Sequence, residues 1–264
     1  MIQKIGAVVL LTLVCASASA TVSVTSSSFT YSQNFNTLGN DFTNPWTNDS
    51  TIVGWSLFTS TLAAPPTYRG EFGNQDVGSF VSYGASASDR ALGAIGDSNS
   101  YFGSPANGAI AGYIAVSFAN NSGVTLNSFT LGFKGEEWRY ANAPAQTMVL
   151  EYGFGSTFAA VASWVVPGGN FDWASPRFGP PGAGGIDGNG QGAVLGRGGM
   201  ASVSWAPDQN LWIRWVERND VGADHGLAID DLTFSVTAVP EPSQAALMLA
   251  GAAAIFSVVR RRRQ

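Results

Sequence analysis

One stretch of the chain gathers the side chains best suited to acid–base or metal chemistry. Residues 220–231 (DVGADHGLAIDD) hold His225, the single histidine of the sequence, among four aspartates. A zinc site needs several histidine or cysteine ligands, and this chain has one of each. Hard cations such as Ca²⁺ instead bind carboxylate and carbonyl oxygens. A structural calcium ion is therefore the candidate cofactor of this segment, with carboxylate ligands drawn from Asp220, Asp224, Asp230 and Asp231. The alternative is that these aspartates serve only in strand-end turns and surface salt bridges.

Hydrolytic chemistry has weaker support in the sequence. Gly96-Asp97-Ser98 has the form of a lipase-type nucleophile motif, but such a site needs an acid three residues before its histidine, where Gly222 stands. Glu136 and Glu137 offer a carboxylate pair of the kind that cleaves glycosides. Adjacent strand residues point to opposite faces, however, and we predict solvated charges beside Arg139. We expect a protein that is not an enzyme and keep a secreted hydrolase as the least favoured alternative.

Aromatic side chains suggest a different activity, because sugars stack on exposed rings. Most of the eight tryptophans must be buried. The two in loop-like surroundings are Trp46 (TNPWTND) and Trp173 (NFDWASPRFG), and we predict that these rings are exposed and bind a ligand. A calcium-dependent carbohydrate-binding module is therefore the main alternative function. Ice binding would require a flat array such as repeated Thr-x-Thr, which the sequence lacks.

Alternation of apolar residues with a period of two recurs along the chain and is typical of strands with one buried face. Turn-rich segments containing many of the 32 glycines separate these strands. We predict an all-β fold, an antiparallel β-sandwich of the jelly-roll type, with a long glycine-rich loop at 176–199. The residues expected to share buried faces are Ile110, Ile114, Val116 and Phe118; Phe129, Leu131 and Phe133; Met148, Leu150 and Tyr152; Leu211, Ile213 and Trp215; and Leu232, Phe234 and Val236.

The charge balance limits the possible partners. Residues 21–239 contain 8 basic and 17 acidic side chains, a net charge of about −9. An acidic surface repels phosphate backbones. We therefore predict no nucleic-acid partner, while divalent cations and glycans remain compatible with this surface.

The N-terminus has the organisation of a secretory signal peptide. Lys4 is followed by an apolar stretch and by the small residues Ala18-Ser19-Ala20, the pattern of a cleaved export signal. We predict that residues 1–20 are removed and that the ectodomain begins at residue 21. Cleavage would also remove Cys15, the single cysteine, so no disulfide is expected.

The C-terminus carries a second membrane-related signal. An uncharged run at 245–259 precedes four arginines. Fifteen helical residues span about 22 Å, short of a hydrocarbon core of about 30 Å, so we predict a single but marginal transmembrane helix. Basic clusters stay on the cytoplasmic side, which places the preceding chain outside the inner membrane. The cluster consists of Arg260, Arg261, Arg262 and Arg263.

Taken together, the tail at 239–264 resembles a PEP-CTERM sorting signal, a type of tail that also goes by the name ice-binding protein C-terminal domain. Its motif residues are Val239, Pro240, Glu241 and Pro242. The resemblance implies a Gram-negative bacterium and processing near the motif by an exosortase, a membrane enzyme. The prolines keep this segment extended and accessible. It also implies a transient stay in the inner membrane.

The ectodomain, predicted at 21–238, resembles a module that recurs upstream of such signals. The matching segments are YSQNFNTLG (31–39), SDRALGAIG (88–96), GEEWR (135–139) and NDVGADHGLAIDDLTF (219–234). The resemblance supplies a location and no activity. We expect a non-catalytic protein at the outer cell surface or in the extracellular matrix, associated with exopolysaccharide in a biofilm. Its expected partners are the exosortase and matrix glycans.

Overall fold

The structure is a computed structural model that describes residues 21–86 and 88–237. The predicted signal peptide at 1–20, the sorting motif at 239–242, the apolar run at 245–259 and the arginines at 260–263 all lie outside the described residues. Within the described part, no helix has the length and apolar character needed to cross a membrane.

Six strands form the first sheet, in the order β1-β8-β14-β10-β11, with β4 also pairing with β8. These strands are β1 (Val22–Val24), β4 (Trp55–Thr59), β8 (Ile110–Asn120), β10 (Thr147–Phe154), β11 (Trp173–Ala174) and β14 (Asn210–Arg218).

Nine strands form the second sheet, in the order β12-β9-β15-β7-β6-β5-β3, with β13 also pairing with β9 and β2 with β15. They are β2 (Thr30–Gln33), β3 (Asn44–Pro45), β5 (Thr67–Glu71), β6 (Ser79–Ser86), β7 (Asp89–Ile95), β9 (Leu126–Tyr140), β12 (Gly184–Gly185), β13 (Ala193–Trp205) and β15 (Gly226–Thr237). The three short 3₁₀ helices of the described chain are Ser100–Phe102, Phe158–Ala160 and Gly169–Phe171.

The predicted all-β sandwich is confirmed. From β7 onward the chain passes repeatedly between the two sheets, with β8, β10 and β14 in one and β9, β13 and β15 in the other, as in jelly-roll folds. The pairing is not purely antiparallel, because β1–β8 and β5–β6 are parallel pairs.

The core lies between the sheets and is rich in aromatic rings. Phe118 of β8 stacks on Phe234 of β15 with ring centroids 3.9 Å apart, and Phe133 meets Trp215 edge-on at 5.5 Å. The predicted same-face sets contribute nearly all their members to this core. Ile110 is the exception: the register shifts between Glu217 and Arg218 of β14, and Ile110 packs instead with the cluster on the opposite face of the first sheet.

The glycine-rich segment 176–199 is more ordered than predicted. Strand β12 pairs with Tyr140 and Arg139, and β13 begins at Ala193 and pairs along β9. Between them, the amide of Asn189 donates to Asp187 Oδ1 at 3.0 Å and the amide of Gly192 donates to the Asp187 carbonyl at 2.9 Å. The aspartate at 187 therefore closes a turn.

Candidate functional site

The four segments that resemble the recurrent ectodomain module come together on the nine-stranded sheet. Strand β15 pairs with β2, β7 and β9, and these strands carry parts of all four segments. The amide of Arg90 on β7 also donates to Asn36 Oδ1 at 2.7 Å, just after β2. At one end of this group, the loop that follows β14 and the end of β7 enclose a polar cleft.

This end cleft has a volume of about 300 Å³. Its floor forms where the two sheets approach each other. A Cβ atom on Gly96 would lie 1.8 Å from the carbonyl oxygen of Arg218, so only glycine allows the end of β7 to pack against the end of β14. Polar side chains that line the cleft are Asp76, Asp97, Ser98, Asn107, Arg139, Asn219 and Asp224.

Gln146, at the beginning of β10, holds the 220–225 loop beside the cleft. Its Nε2 donates to the Ala223 carbonyl at 3.1 Å and to Asp224 Oδ1 at 3.3 Å, and its Oε1 accepts from the amide of His225 at 2.7 Å. Asp224 Oδ1 also accepts from the amide of Asp220 at 2.8 Å. These hydrogen bonds hold the loop in a defined conformation.

Burial raises the pKa of three carboxyl groups at or near this cleft, those of Asp224, Asp220 and Glu217. It raises the pKa of Asp224 to about 7 and raises the pKa of Asp220, although the Arg218 charge acts in the opposite direction. Glu217, beneath the cleft, has a pKa well above its usual value because it is fully buried and faces Asp224 and Asp220; its carboxylate accepts a hydrogen bond from the Gly96 amide. These shifts favour the protonated forms of Asp224, Asp220 and Glu217.

The hydrogen-bonding partner of the His225 imidazole is Glu137 and not one of the aspartates in its own sequence segment. His225 Nδ1 lies 2.7 Å from Glu137 Oε1, and both side chains are completely buried. The other oxygen of Glu137 accepts a hydrogen bond of 2.8 Å from the amide of Arg177. This pair joins β9, β15 and the segment after β11 in the interior, and sequence reasoning did not connect the two residues.

The prediction that Glu136 and Glu137 point to opposite faces is confirmed, but the prediction that they are solvated is wrong. Glu136 lies on the outer face of the nine-stranded sheet, buried under neighbouring loops, where it accepts from Trp138 Nε1 at 2.8 Å and pairs with Lys134 at 2.6 Å. Arg139 pairs instead with Asp76, at 3.7 Å. Each glutamate is therefore engaged by fixed partners.

The four aspartates predicted as calcium ligands lie in two separate places. Asp220 and Asp224 lie at the end cleft, whereas Asp230 lies beside Glu136, Asp89 and Asp231 on the outer face of the nine-stranded sheet. Within the described ranges, no three His, Cys, Asp or Glu side chains are grouped so that they could hold a metal ion. The structure thus does not bring the proposed ligands into one set, and calcium binding stays a prediction.

The prediction that Trp46 and Trp173 are exposed is wrong. Their exposed fractions are 4% and 2%, and both belong to the core. Trp46 Nε1 donates to Asn48 Oδ1 at 2.6 Å and its ring meets Tyr68 edge-on. Trp173 covers Gly135, whose added Cβ would lie 2.4 Å from the ring. The polar residues around both rings made these segments look like loops, although tertiary packing buries the rings.

Comparisons with known proteins agree with the analysis of the tail. Residues 238–263 match the model of the PEP-CTERM protein-sorting motif. No curated protein matches the chain. One similar solved structure is the CBM22-1 xylan-binding domain of Xyn10C from Paenibacillus barcinonensis, with 8% identity, 82% of this chain and 100% of that chain covered, and a TM-score of 0.38. That likeness is too distant to bear on the ligand. The chain therefore carries a PEP-CTERM sorting motif at 238–263, after the described β-sandwich.

Proposed function

We propose that the protein is exported, is processed by an exosortase at its tail, and serves as a non-catalytic component of the cell surface or of an exopolysaccharide matrix. The observation that carries this proposal is the match of residues 238–263 to the PEP-CTERM protein-sorting motif. Proline disfavours helix at and just before itself, so Pro240-Glu241-Pro242 is suited to cleavage by a membrane-embedded protease.

The polar interior of the sandwich supports a structural role for the ectodomain. Glu136 and Glu137 are buried carboxylates on β9. Glu136 contacts Trp138 and Lys134, and Glu137 contacts His225, so both carboxylates stabilise the sandwich. A glycosidase would instead present two carboxyl groups across an open cleft. The buried carboxylates of this sandwich are better explained by the stability of the fold than by attack on a substrate.

The proposal is tested by substituting the motif in the native bacterium. We expect Glu241→Ala to leave export intact and to block processing, so that uncleaved protein accumulates in the inner membrane. Gln244→Ala, two residues after Pro240-Glu241-Pro242, is the matched control and should be processed normally. Immunoblots of membrane and extracellular fractions measure both forms. Normal release of the Glu241→Ala protein would contradict the proposed sorting.

A second candidate function is calcium-dependent carbohydrate binding at the end cleft. It is favoured by the convergence of Asp97, Asn219 and Asp224 on one depression, because carboxylate and amide oxygens suit a hard cation. Calcium would have to displace the proton of Asp224. We expect millimolar Ca²⁺ to raise the Tm, and Asp224→Asn to abolish the increase, whereas Asp230→Asn should leave it intact. An unchanged melting curve with calcium and with chelator would exclude this function.

A further inference from the structure

Part of the outer surface of the nine-stranded sheet carries hydroxyl side chains in rows. In this region the strand order is β13-β9-β15-β2, and the registers align residues across strands. One row joins Thr30, Ser235 and Thr130, and a second joins Thr237, Ser128 and Ser202. We name this surface the hydroxyl face; its members are Thr30, Ser32, Ser128, Thr130, Ser202, Thr233, Ser235 and Thr237.

The outward direction of these hydroxyls follows from the pleat of the strands. Successive side chains alternate between faces, and the residues between the hydroxyls are apolar. Phe129, Leu131, Phe234 and Val236 belong to the core between the sheets. The alternate positions of the same strands therefore face solvent, and strand spacings of about 4.8 Å place neighbouring hydroxyls close together over an area about 14 Å wide.

Most of these hydroxyls have no partner within the described residues. Ser128 Oγ and Thr237 Oγ1 share a hydrogen bond of 2.7 Å, and Thr233 Oγ1 donates to the Gly132 carbonyl at a long 3.4 Å. The remaining hydroxyls make no hydrogen bond to the described part of the protein. Thr30, Ser32, Thr130 and Ser202 are in addition exposed, so they are available to a ligand.

The hydroxyl face contains two depressions. One, of about 400 Å³, is lined by Thr30, Thr130, Thr233 and Ser235 among others. The next, of about 360 Å³, adjoins Ser32 and Thr233 and extends to Asp231. The surface is lower where Gly132 pairs with Gly198, because neither residue has a side chain. A Cβ on Gly132 would lie 2.8 Å from Thr233 Oγ1. The result is a shallow, uneven trough rather than a plane.

No member of the hydroxyl face is charged, although residues 21–239 carry a net charge of about −9. Serine and threonine hydroxyls both donate and accept hydrogen bonds, as sugar hydroxyls do, so the two sets can pair without a fixed donor pattern. We propose that the hydroxyl face binds a neutral polysaccharide chain lying across β13, β9, β15 and β2. The choice of polymer rests on the proposed function, which sends the protein to a glycan-containing surface.

The charge and shape of the hydroxyl face favour a neutral polysaccharide over an anionic polysaccharide or an ice surface. An anionic polysaccharide would approach an acidic protein with Asp231 at the edge of the trough, and like charges repel. An ice surface is rigid and flat, whereas this face has depressions, a pair of glycines and the protruding Met200, which is 66% exposed. A polysaccharide can bend to follow such a surface. The last described residue, Thr237, belongs to this face.

The test measures binding of the full-length protein, purified in detergent, by retardation in native gels that contain a polymer. Hydroxyethyl cellulose, galactomannan and dextran are the neutral probes, and alginate is the anionic probe. The test variant, Thr130→Val/Thr233→Val/Ser235→Ala, removes three hydroxyls and keeps strand propensity. The control variant, Thr25→Ala/Ser27→Ala/Ser28→Ala, removes three hydroxyls near the N-terminal strand. Melting curves establish that both variants are folded.

We expect at least one neutral polymer to retard the wild type and the control equally, and the test variant to bind about tenfold or more weakly, because three hydrogen bonds are lost. The proposal is overturned by three results: retardation by no neutral polymer, equal retardation of the test variant, or stronger retardation by alginate. Inhibition of ice growth without polymer binding would also overturn it. None of these results depends on tail processing, so the proposed sorting is judged separately by the Glu241→Ala experiment.

Discussion

Glu137 Oε1 and His225 Nδ1 lie 2.7 Å apart in the interior of the sandwich, although the two residues are 88 positions apart in the sequence. Neither side chain has any exposed surface. The pair connects β9 to the residue that precedes β15, and the second oxygen of Glu137 accepts a hydrogen bond from the amide of Arg177. One carboxylate thus satisfies the buried imidazole and a backbone amide from another part of the chain.

Removal of this carboxylate should destabilise the fold strongly. Glu137→Ala leaves the imidazole and the Arg177 amide without their partner, and breaking such a buried arrangement costs about 3–5 kcal/mol. Denaturant unfolding of the purified protein measures the loss. The control is Asp76→Ala, which removes an exposed carboxylate 3.7 Å from Arg139; surface pairs contribute about 0–1 kcal/mol. Equal losses in the two variants would contradict a stabilising role for the buried pair.

The buried aspartates predict a decrease in stability as the pH rises. Burial raises the pKa of Asp230 to about 8, helped by Glu136, Asp231 and Asp89, and raises that of Asp224 to about 7. Between about pH 4 and these values, the folded state keeps protons that the unfolded state releases. The Tm should therefore fall between pH 5 and pH 8.

Asp230→Asn isolates one contribution to this effect, because the amide imitates the neutral acid. We expect the variant to be more stable than the wild type at pH 8 and nearly equal to it at pH 5, so that its Tm depends less on pH. Asp208→Asn, in an exposed turn with φ of 62°, is the control, since asparagine tolerates this conformation. An unchanged pH dependence of the Asp230→Asn protein would contradict the assignment.

The contact between Gly135 and Trp173 predicts that a single methyl group added at position 135 lowers the stability of the fold. A Cβ at position 135 would lie 2.4 Å from the indole, so Gly135→Ala must displace the ring or the strand. Overpacking of this kind costs about 1–3 kcal/mol. Gly184→Ala is the matched control, because its nearest contact would be 3.6 Å from the Tyr140 hydroxyl. If thermal unfolding shows no difference between the variants, the close packing at Trp173 is incorrect.

The strands and their buried faces could be predicted from the sequence because apolar alternation is local. The sets around Phe129, Ile213 and Phe234 all face the core as expected. The burial of Trp46 and Trp173 could not be predicted in this way, since it depends on tertiary contacts with segments distant in the sequence. Their polar sequence neighbours gave the opposite indication.

The hydroxyl face could not be predicted from the sequence for a related reason. The sequence contains no repeated Thr-x-Thr, and each of β2, β9, β13 and β15 contributes only one to three of its hydroxyls. The rows form only when four strands align in register, and the paired residues Thr30 and Ser235 are 205 positions apart in the sequence. The same holds for Glu137 and His225: the acids nearest to the histidine in sequence indicated the wrong partners.

The central claim, that the tail at 238–263 directs sorting and processing, is tested most directly by mass spectrometry of the protein's C-terminus in its native bacterium. With the exosortase present, we predict that the extracellular protein ends near residues 239–242 and lacks Arg260 to Arg263. After deletion of the exosortase gene, the protein should keep Gln264 and remain in the inner membrane. Extracellular protein that retains Gln264 in both strains would contradict the account.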